Sequence, residues 1–292
     1  MDGRLERPGA DSARVVLGPA FCARLERFAA IARARGTRDD GRSGLMPGQG
    51  VEFEGHRPYR DGEDLRDLDW ELLARLGRPW MRVRRAERGE RSLLALDTSA
   101  SMSVGAPSKL EHACELAAAV ALATVGSGGR AEVVAHGTEG RVECCALRTR
   151  RDLPSLLEFL RSRIARGERS LRELFALPQL ARASRVVVLG DLMDVEPAQV
   201  LALARRGCRV TVTAVLARRE LAPRASEGIE WFDPERGDTL ALALDSGVLS
   251  AYGRALEGRL ELWRSAFARR GQAFRVTPSD AEFEALALEL VR

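Results

Sequence analysis

Ser92-Leu-Leu-Ala-Leu-Asp97-Thr-Ser99-Ala-Ser101-Met-Ser103 decides how the chain is read. An apolar run ends in Asp97, and hydroxyls follow at Ser99 and Ser101. Past a turn with Gly105 and Pro107, a helical pattern begins at Lys109. An unbroken apolar run of this kind predicts a strand buried on both faces. The stretch therefore predicts a strand that carries a carboxylate and two serines to the mouth of an α/β sheet. An Asp with hydroxyls two and four residues later offers three oxygens from one loop. That is donor chemistry for a hard cation such as Mg²⁺ or Mn²⁺. The plainer alternative is a polar loop in which Asp97 and the serines cap a helix.

Downstream, Ala131–His136, Val186–Leu189, Val210–Leu216 and Ala273–Val276 read as strands. Arg141–Leu147 reads as an antiparallel edge strand, because the 137–140 link is hairpin-short. Helical patterns cover Leu110–Val125, Leu153–Ile164, Leu171–Ala181, Pro197–Arg206, Val248–Phe267 and Ala281–Val291. Ile229–Phe232 and Thr239–Leu244 predict an extra hairpin around Pro234-Glu-Arg-Gly237. Alternating strands and helices predict a mostly parallel, doubly wound sheet with helices on both faces. Ligands bind such sheets at the carboxyl ends of the strands. Gly190-Asp191 ends a second strand, so Asp191 is expected to add a fourth oxygen beside Asp97.

Upstream, residues 1–18 read as loose and Pro19–Arg35 as a helix. Between 47 and 91, charges of both signs alternate with Phe53, Tyr59, Leu65, Leu68 and Trp70. A disordered tail would lack such aromatics. The expectation is an ordered, ion-paired segment in which Arg57, Arg60 and Arg66 meet Asp61, Glu63, Asp64, Asp67 or Asp69. Trp80–Arg84 alternates like a half-buried strand. The chain is thus divided at 91. Residues 1–91 form a helix and charged segment packed on the main domain, and 92–292 form the α/β domain.

Composition narrows the function classes. The 292 residues carry a net charge of +4, and charged residues are 30% of the total. The signs are mixed along the whole chain, including the arginine-rich stretch 75–91, which argues against nucleic acid as partner. Lys109 is the only lysine. Five cysteines without a CxxC pair predict reduced thiols, and the polar start predicts a cytoplasmic chain without a membrane span. His56, His112 and His136 stand apart from one another and read as structural. No Walker A loop and no Gly-x-Ser-x-Gly elbow occurs, so ATP use would belong to a partner and the serines are not expected to be nucleophiles.

Asp97-Thr-Ser-Ala-Ser101 resembles the first part of the metal-ion-dependent adhesion site of von Willebrand factor A domains. Gly48-Gln-Gly-Val-Glu-Phe, His56-Arg-Pro-Tyr-Arg-Asp-Gly-Glu-Asp-Leu-Arg-Asp-Leu-Asp-Trp70, Ala74-Arg75 and Pro107-Ser-Lys109 resemble the signature of the bacterial family catalogued as domain of unknown function 58. The resemblance implies a von Willebrand factor A-like sheet preceded by the charged segment, in a family with no established enzymatic activity. It also implies a MoxR-type AAA+ ATPase as partner, in chaperone-like maturation or regulation of other proteins. By position, Asp97, Ser99, Ser101 and Asp191 match metal-site residues. The expected middle threonine does not match, since the line reads Gly167-Glu-Arg169-Ser170-Leu171. A guanidinium cannot ligate a cation. Ser170 would have to substitute after a one-residue shift, or Arg169 would pair with Asp97 or Asp191 and replace the metal.

The expected function is a non-enzymatic protein-interaction module. Thr98, Ser103, Arg169 and Asp194 surround its Mg²⁺-site-like edge as partner contacts. The alternatives are a metal-dependent hydrolase (phosphatase or nuclease) and a metal-free scaffold.

Overall fold

A computed structural model of the chain describes residues 14–39, 52–59, 68–85, 90–204 and 208–291. It falls into two compact units, one of residues 1–35 with 90–292 and one of residues 36–89. The helical start, α1 (Pro19–Asp39), thus divides differently from the boundary expected at 91: its body groups with the α/β domain.

The smaller unit holds β1 (Glu52–Pro58), α2 (Trp70–Leu76) and β2 (Trp80–Arg85), with β1 and β2 antiparallel. Strand β2 lies where alternation predicts it, while β1 and α2 exceed the expected ordered loop. Asp69 explains α2: its carboxylate accepts from the Glu71 and Leu72 amides at 3.1 and 3.0 Å. Such a cap satisfies donors that a helix start leaves open. Asp69 also meets His56 Nε2 at 2.7 Å. The expected pairs at 60–67 lie outside the described residues.

The larger unit continues with β3 (Arg91–Leu96), α3 (Lys109–Gly126), β4 (Arg130–His136), β5 (Val142–Leu147), α4 (Leu153–Arg161) and α5 (Leu171–Phe175). Then come β6 (Arg185–Gly190), α6 (Pro197–Leu201), β7 (Arg209–Leu216), α7 (Arg218–Leu221), β8 (Ser226–Phe232) and β9 (Thr239–Leu244). The long α8 (Ser246–Ala268), β10 (Ala273–Pro278) and α9 (Phe283–Leu290) complete it. Six strands form one sheet in the order β10-β7-β6-β3-β4-β5, parallel except for β5, and β8–β9 form a separate hairpin. This is the α/β, mostly parallel architecture with an antiparallel edge that the sequence predicts.

Period-two alternation builds the two sides. Leu94 and Leu96 of β3 share one core with α1, α3, α4 and α9. Leu93 and Ala95 share the other with Trp263 and Phe267 of α8. Helix α3 is apolar almost all round and nearly wholly buried, and its alanines let it press on the sheet. On the other face, Trp263 stacks on Phe274 with centroids 5.8 Å apart.

Three local expectations change. Residues 14–18 are anchored, not loose: Val15 and Leu17 are buried, and the Leu17 carbonyl accepts from Arg161 at 2.7 Å. The 171–181 helix breaks after Phe175, and Pro178–Arg182 form a 3-10 turn, because the residue before a proline disfavours α geometry. Helix α6 ends at Leu201 rather than continuing to 206.

Candidate functional site

The sheet order reverses between β3 and β6, and there the ends of two parallel strands open a crevice. Asp97 follows β3 and Asp191 follows β6. Register seats them together: Leu96 lies opposite Leu189, and the Asp97 amide donates to the Leu189 carbonyl at 2.9 Å. Gly190 makes room. A Cβ there would lie 2.6 Å from Asp97 Cβ and 2.7 Å from its Oδ2. Gly190→Ala is therefore expected to push the Asp97 carboxylate aside and to destabilise the domain by about 1–3 kcal/mol, as overpacking does; urea denaturation checks it, and unchanged stability contradicts the packing argument.

Asp97 is 2% exposed. Its Oδ1 accepts from the Ser99 amide at 2.9 Å, and the Ser99 and Ser101 hydroxyl oxygens are 3.0 Å apart. Burial, then the Asp191 charge, push its pKa up to about 8, which favours the protonated acid at neutral pH. Asp191 behaves oppositely. Burial opposes its ionisation, but the Lys109 ammonium outweighs that and holds it below the ordinary carboxylate range, helped by hydrogen bonds from Ser101 and the Met193 amide.

Lys109 is the group that sequence reasoning left unplaced. Its Nζ is buried and donates to Asp191 Oδ2 at 2.8 Å and to Glu220 Oε1 at 2.9 Å. Burial opposes its charge, yet the two carboxylates raise its pKa above the usual lysine value. The lysine opens α3 after the Ser108 cap, whose hydroxyl accepts from the Glu111 amide at 3.1 Å. Its being the only lysine was the available signal.

Arg169 does not fill that role. Its guanidinium donates to the carbonyls of Ile164 and Thr138 at 3.3 and 3.2 Å, and reaches the Thr98 hydroxyl at 3.5 Å. The ammonium of Lys109, not the guanidinium, stands against Asp191. Ser170 donates to Asp194 Oδ2 at 2.5 Å and accepts from the Arg172 amide. Its hydroxyl caps α5 and meets the third carboxylate instead of Asp97. Asp194 also accepts from the Leu171 amide at 3.1 Å. Thr98 is wholly buried, and the Ser103 hydroxyl turns to the Ala100 carbonyl at 2.7 Å, so neither presents its hydroxyl outward.

The loop after Asp191 is held in an uncommon conformation. Leu192 has φ 63°, a region costly for a branched side chain. Arg259 of α8 secures it by donating to the Leu192 carbonyl at 2.5 Å and the Val195 carbonyl at 3.1 Å. Met193 is left half exposed at the rim.

The donor set suits the cation that the resemblance implies. The Ser99 and Ser101 hydroxyls lie side by side and Ser101 also faces Asp191, so several oxygen lone pairs meet few protons. Asp97, Ser99 and Ser101 would hold a hard cation, with Asp191 behind Ser101. A cation there would also displace the proton on Asp97.

The three histidines lie apart from the serines. His56 meets Asp69, His136 Nε2 meets Glu173 at 3.0 Å, and His112 Nε2 lies 3.4 Å from Thr277 Oγ1. All five cysteines are free. Among the described residues, no helix is long and apolar enough to cross a membrane.

Comparison with known proteins bears on this arrangement. Uncharacterized proteins of Mycobacterium tuberculosis and Mycobacterium bovis are 28% identical over 247 residues, covering 80% of this chain and 73% of theirs. The conserved hypothetical protein BatB from Bacteroides thetaiotaomicron aligns at 18% identity and a TM-score of 0.44, covering 70% of this chain and 97% of that one. An aerotolerance-related membrane protein from Bacteroides fragilis aligns at 21% identity and a TM-score of 0.41, covering 69% and 98%. The family model described as protein of unknown function DUF58 matches residues 55–258, from the charged segment through the crevice into α8, and the chain belongs to that family.

Proposed function

We propose that the chain is a non-enzymatic protein-interaction module whose crevice, with Asp97, Ser99, Ser101 and Asp191, holds Mg²⁺ or Mn²⁺ and through it receives a carboxylate from a protein partner. The observation that carries this reading is the buried Asp97 carboxylate beside the Ser99 and Ser101 hydroxyls, 3.0 Å apart, at the point where strand order reverses. Such a cluster gathers oxygen donors in one loop, and a cation with an open position suits both it and an incoming carboxylate. The half-exposed Met193 supplies apolar area at the rim. A MoxR-type AAA+ ATPase or its client is the partner class that the family suggests, in chaperone-like maturation or regulation, with the chain acting in the cytoplasm.

The non-catalytic reading is supported by the histidines, each engaged away from Ser99 and Ser101, since a nucleophilic serine needs an adjacent base. A metal-free scaffold is the second reading, favoured by the Lys109–Asp191 pair, which already places an internal cation at the crevice.

Partner capture from lysate in Mg²⁺ against chelator, with the purified ATPase as direct test, decides between them. Asp97→Ala is expected to lower partner affinity at least tenfold while the folded domain persists. Binding indifferent to both chelator and Asp97→Ala would refute the metal face. Phosphatase or nuclease turnover lost with Asp97→Ala would favour the hydrolase.

A further inference from the structure

The loop between α4 and α5 lies against the ends of β3 and β4, and Arg163, Arg166 and Arg169 recur along it. Two backbone bonds tie it to the residues after Asp97. The Arg166 amide donates to the Thr98 carbonyl, and the Ala100 amide donates to the Gly167 carbonyl, both at 3.0 Å. The three arginines are served unequally. Arg163 is buried and has its counterion, Glu143, at 2.6 Å. Arg169 is partly buried, yet it meets only neutral oxygens. Its Nη1 donates to the Ile164 carbonyl at 3.3 Å and reaches the Thr98 hydroxyl at 3.5 Å, and its Nη2 donates to the Thr138 carbonyl at 3.2 Å. Arg166 is exposed. Nearby acids are engaged with other cations: Glu143 with Arg163, Glu173 with His136 at 3.0 Å, and Glu168 with Arg236 at 3.9 Å. Among the described residues, neither Arg166 nor Arg169 forms an ion pair. A charge taken partly out of water without a counterion is costly. Burial, then Arg166 and Arg163, hold the Arg169 pKa below the usual arginine value.

We propose that Arg169, with Arg166 beside it, is an oxyanion subsite that takes an acidic side chain of the protein partner, so that one acidic segment presents two carboxylates, one to the crevice and one to the guanidinium. The two-carboxylate arrangement rests on the carboxylate-receiving reading above, whereas the subsite needs no cation. A guanidinium carries five N–H protons. The neutral contacts claim two at Nη1 and one at Nη2. The Nε proton and the second at Nη2 remain, and paired N–H groups are what a carboxylate accepts from most strongly. Arg169 is thus braced by three loops and still has donors to offer. It reaches the hydroxyl of the residue next to Asp97, which sets the second carboxylate close to the first.

The test titrates the full chain with acetyl-hexaglutamate amide at low salt, in chelator, followed by NMR line shifts. The wild type is expected to bind in the millimolar range and not to bind the hexaglutamine peptide. The double variant Arg166→Gln with Arg169→Gln is expected to bind about tenfold more weakly; glutamine keeps N–H donors for the carbonyls that brace Arg169. Arg169→Lys keeps the charge and loses the planar fork, so it falls between the two. Arg269→Gln with Arg270→Gln removes the same charge from exposed positions at the opposite edge of the sheet and is expected to bind like the wild type. No binding by the wild type, equal binding by the Arg166/Arg169 variant, or an equal loss in the Arg269/Arg270 variant overturns the subsite. Inorganic phosphate that binds where the peptide does not would also overturn the assignment to an acidic segment. Mn²⁺ titration of the wild type against Asp97→Ala reports on the cation face alone, so either reading can fail without the other.

Discussion

Lys109→Met is expected to destabilise the α/β domain by about 3–5 kcal/mol, the cost of leaving a buried charge without its partner. Asp191 is nearly buried and keeps its charge because the Lys109 ammonium sits 2.8 Å away. Methionine fills much of the lysine's volume, so the loss is electrostatic and not a cavity. The orphaned Asp191 would then take up a proton or draw water to the strand end, beside an Asp97 that already carries one. For a domain of this size the shift in Tm is roughly 10 °C, at about 2–4 °C per kcal/mol. Lys109→Met with Asp191→Asn is expected to recover most of the loss, since removing both charges removes the uncompensated one. Glu220, at the crevice rim, shares the lysine and limits the recovery. Urea denaturation of the wild type and the two variants reads this directly, and a loss below about 1 kcal/mol in Lys109→Met would show that Lys109 does not neutralise Asp191.

Asp97→Asn works in the other direction and should stabilise the protein at neutral pH. The folded state holds this acid at about 8 against an ordinary value of 3.8. Below the lower value both states are protonated and Asp97 makes no difference. As pH rises toward 8 the unfolded chain gives up the proton and the folded one keeps it. The wild type is therefore expected to lose stability progressively over that window, by an amount on the order of 5 kcal/mol at most, one pKa unit being about 1.4 kcal/mol. Asparagine is the neutral isostere and keeps an Oδ1 for the Ser99 amide, so its profile lacks this fall. Chelator is present throughout, because a bound cation would stabilise the wild type by mass action. Parallel profiles for the two proteins between pH 4 and 8 would mean that Asp97 ionises normally. A substitution that strengthens the fold while removing a proposed cation ligand is the trade expected where a site is held for function at the expense of stability.

Much of this arrangement is legible in the residues. The run Leu93–Leu96 could only be a strand covered on both faces, and its Asp97 had to emerge at the edge where a parallel neighbour would deliver Asp191. The hairpin around Pro234–Gly237 and the antiparallel β5 were equally plain, because short links and turn residues act locally. Other features were not legible. The pairing of β1 with β2 joins residues from Pro58 with Trp80 to Glu52 with Arg85 across a charged stretch, and only the β2 side shows an alternation that announces a strand. Arg169 invited a role as the missing cation because it occupies the threonine position, yet carbonyls at 138 and 164 hold it elsewhere. Ser170 lay at ligand spacing but serves a helix start.

Local chemistry alone determined the strand, its terminal acid, the two hydroxyls and the alternation that makes the sheet mostly parallel. Those depend on hydrophobic period and on residue type, which neighbours in the chain set. Tertiary structure decided the charge state of the crevice. Lys109 meets Asp191 across 82 positions and Glu220 across 111. Charge interactions depend on distance in space and on exclusion of water, and neither quantity is written in the order of residues.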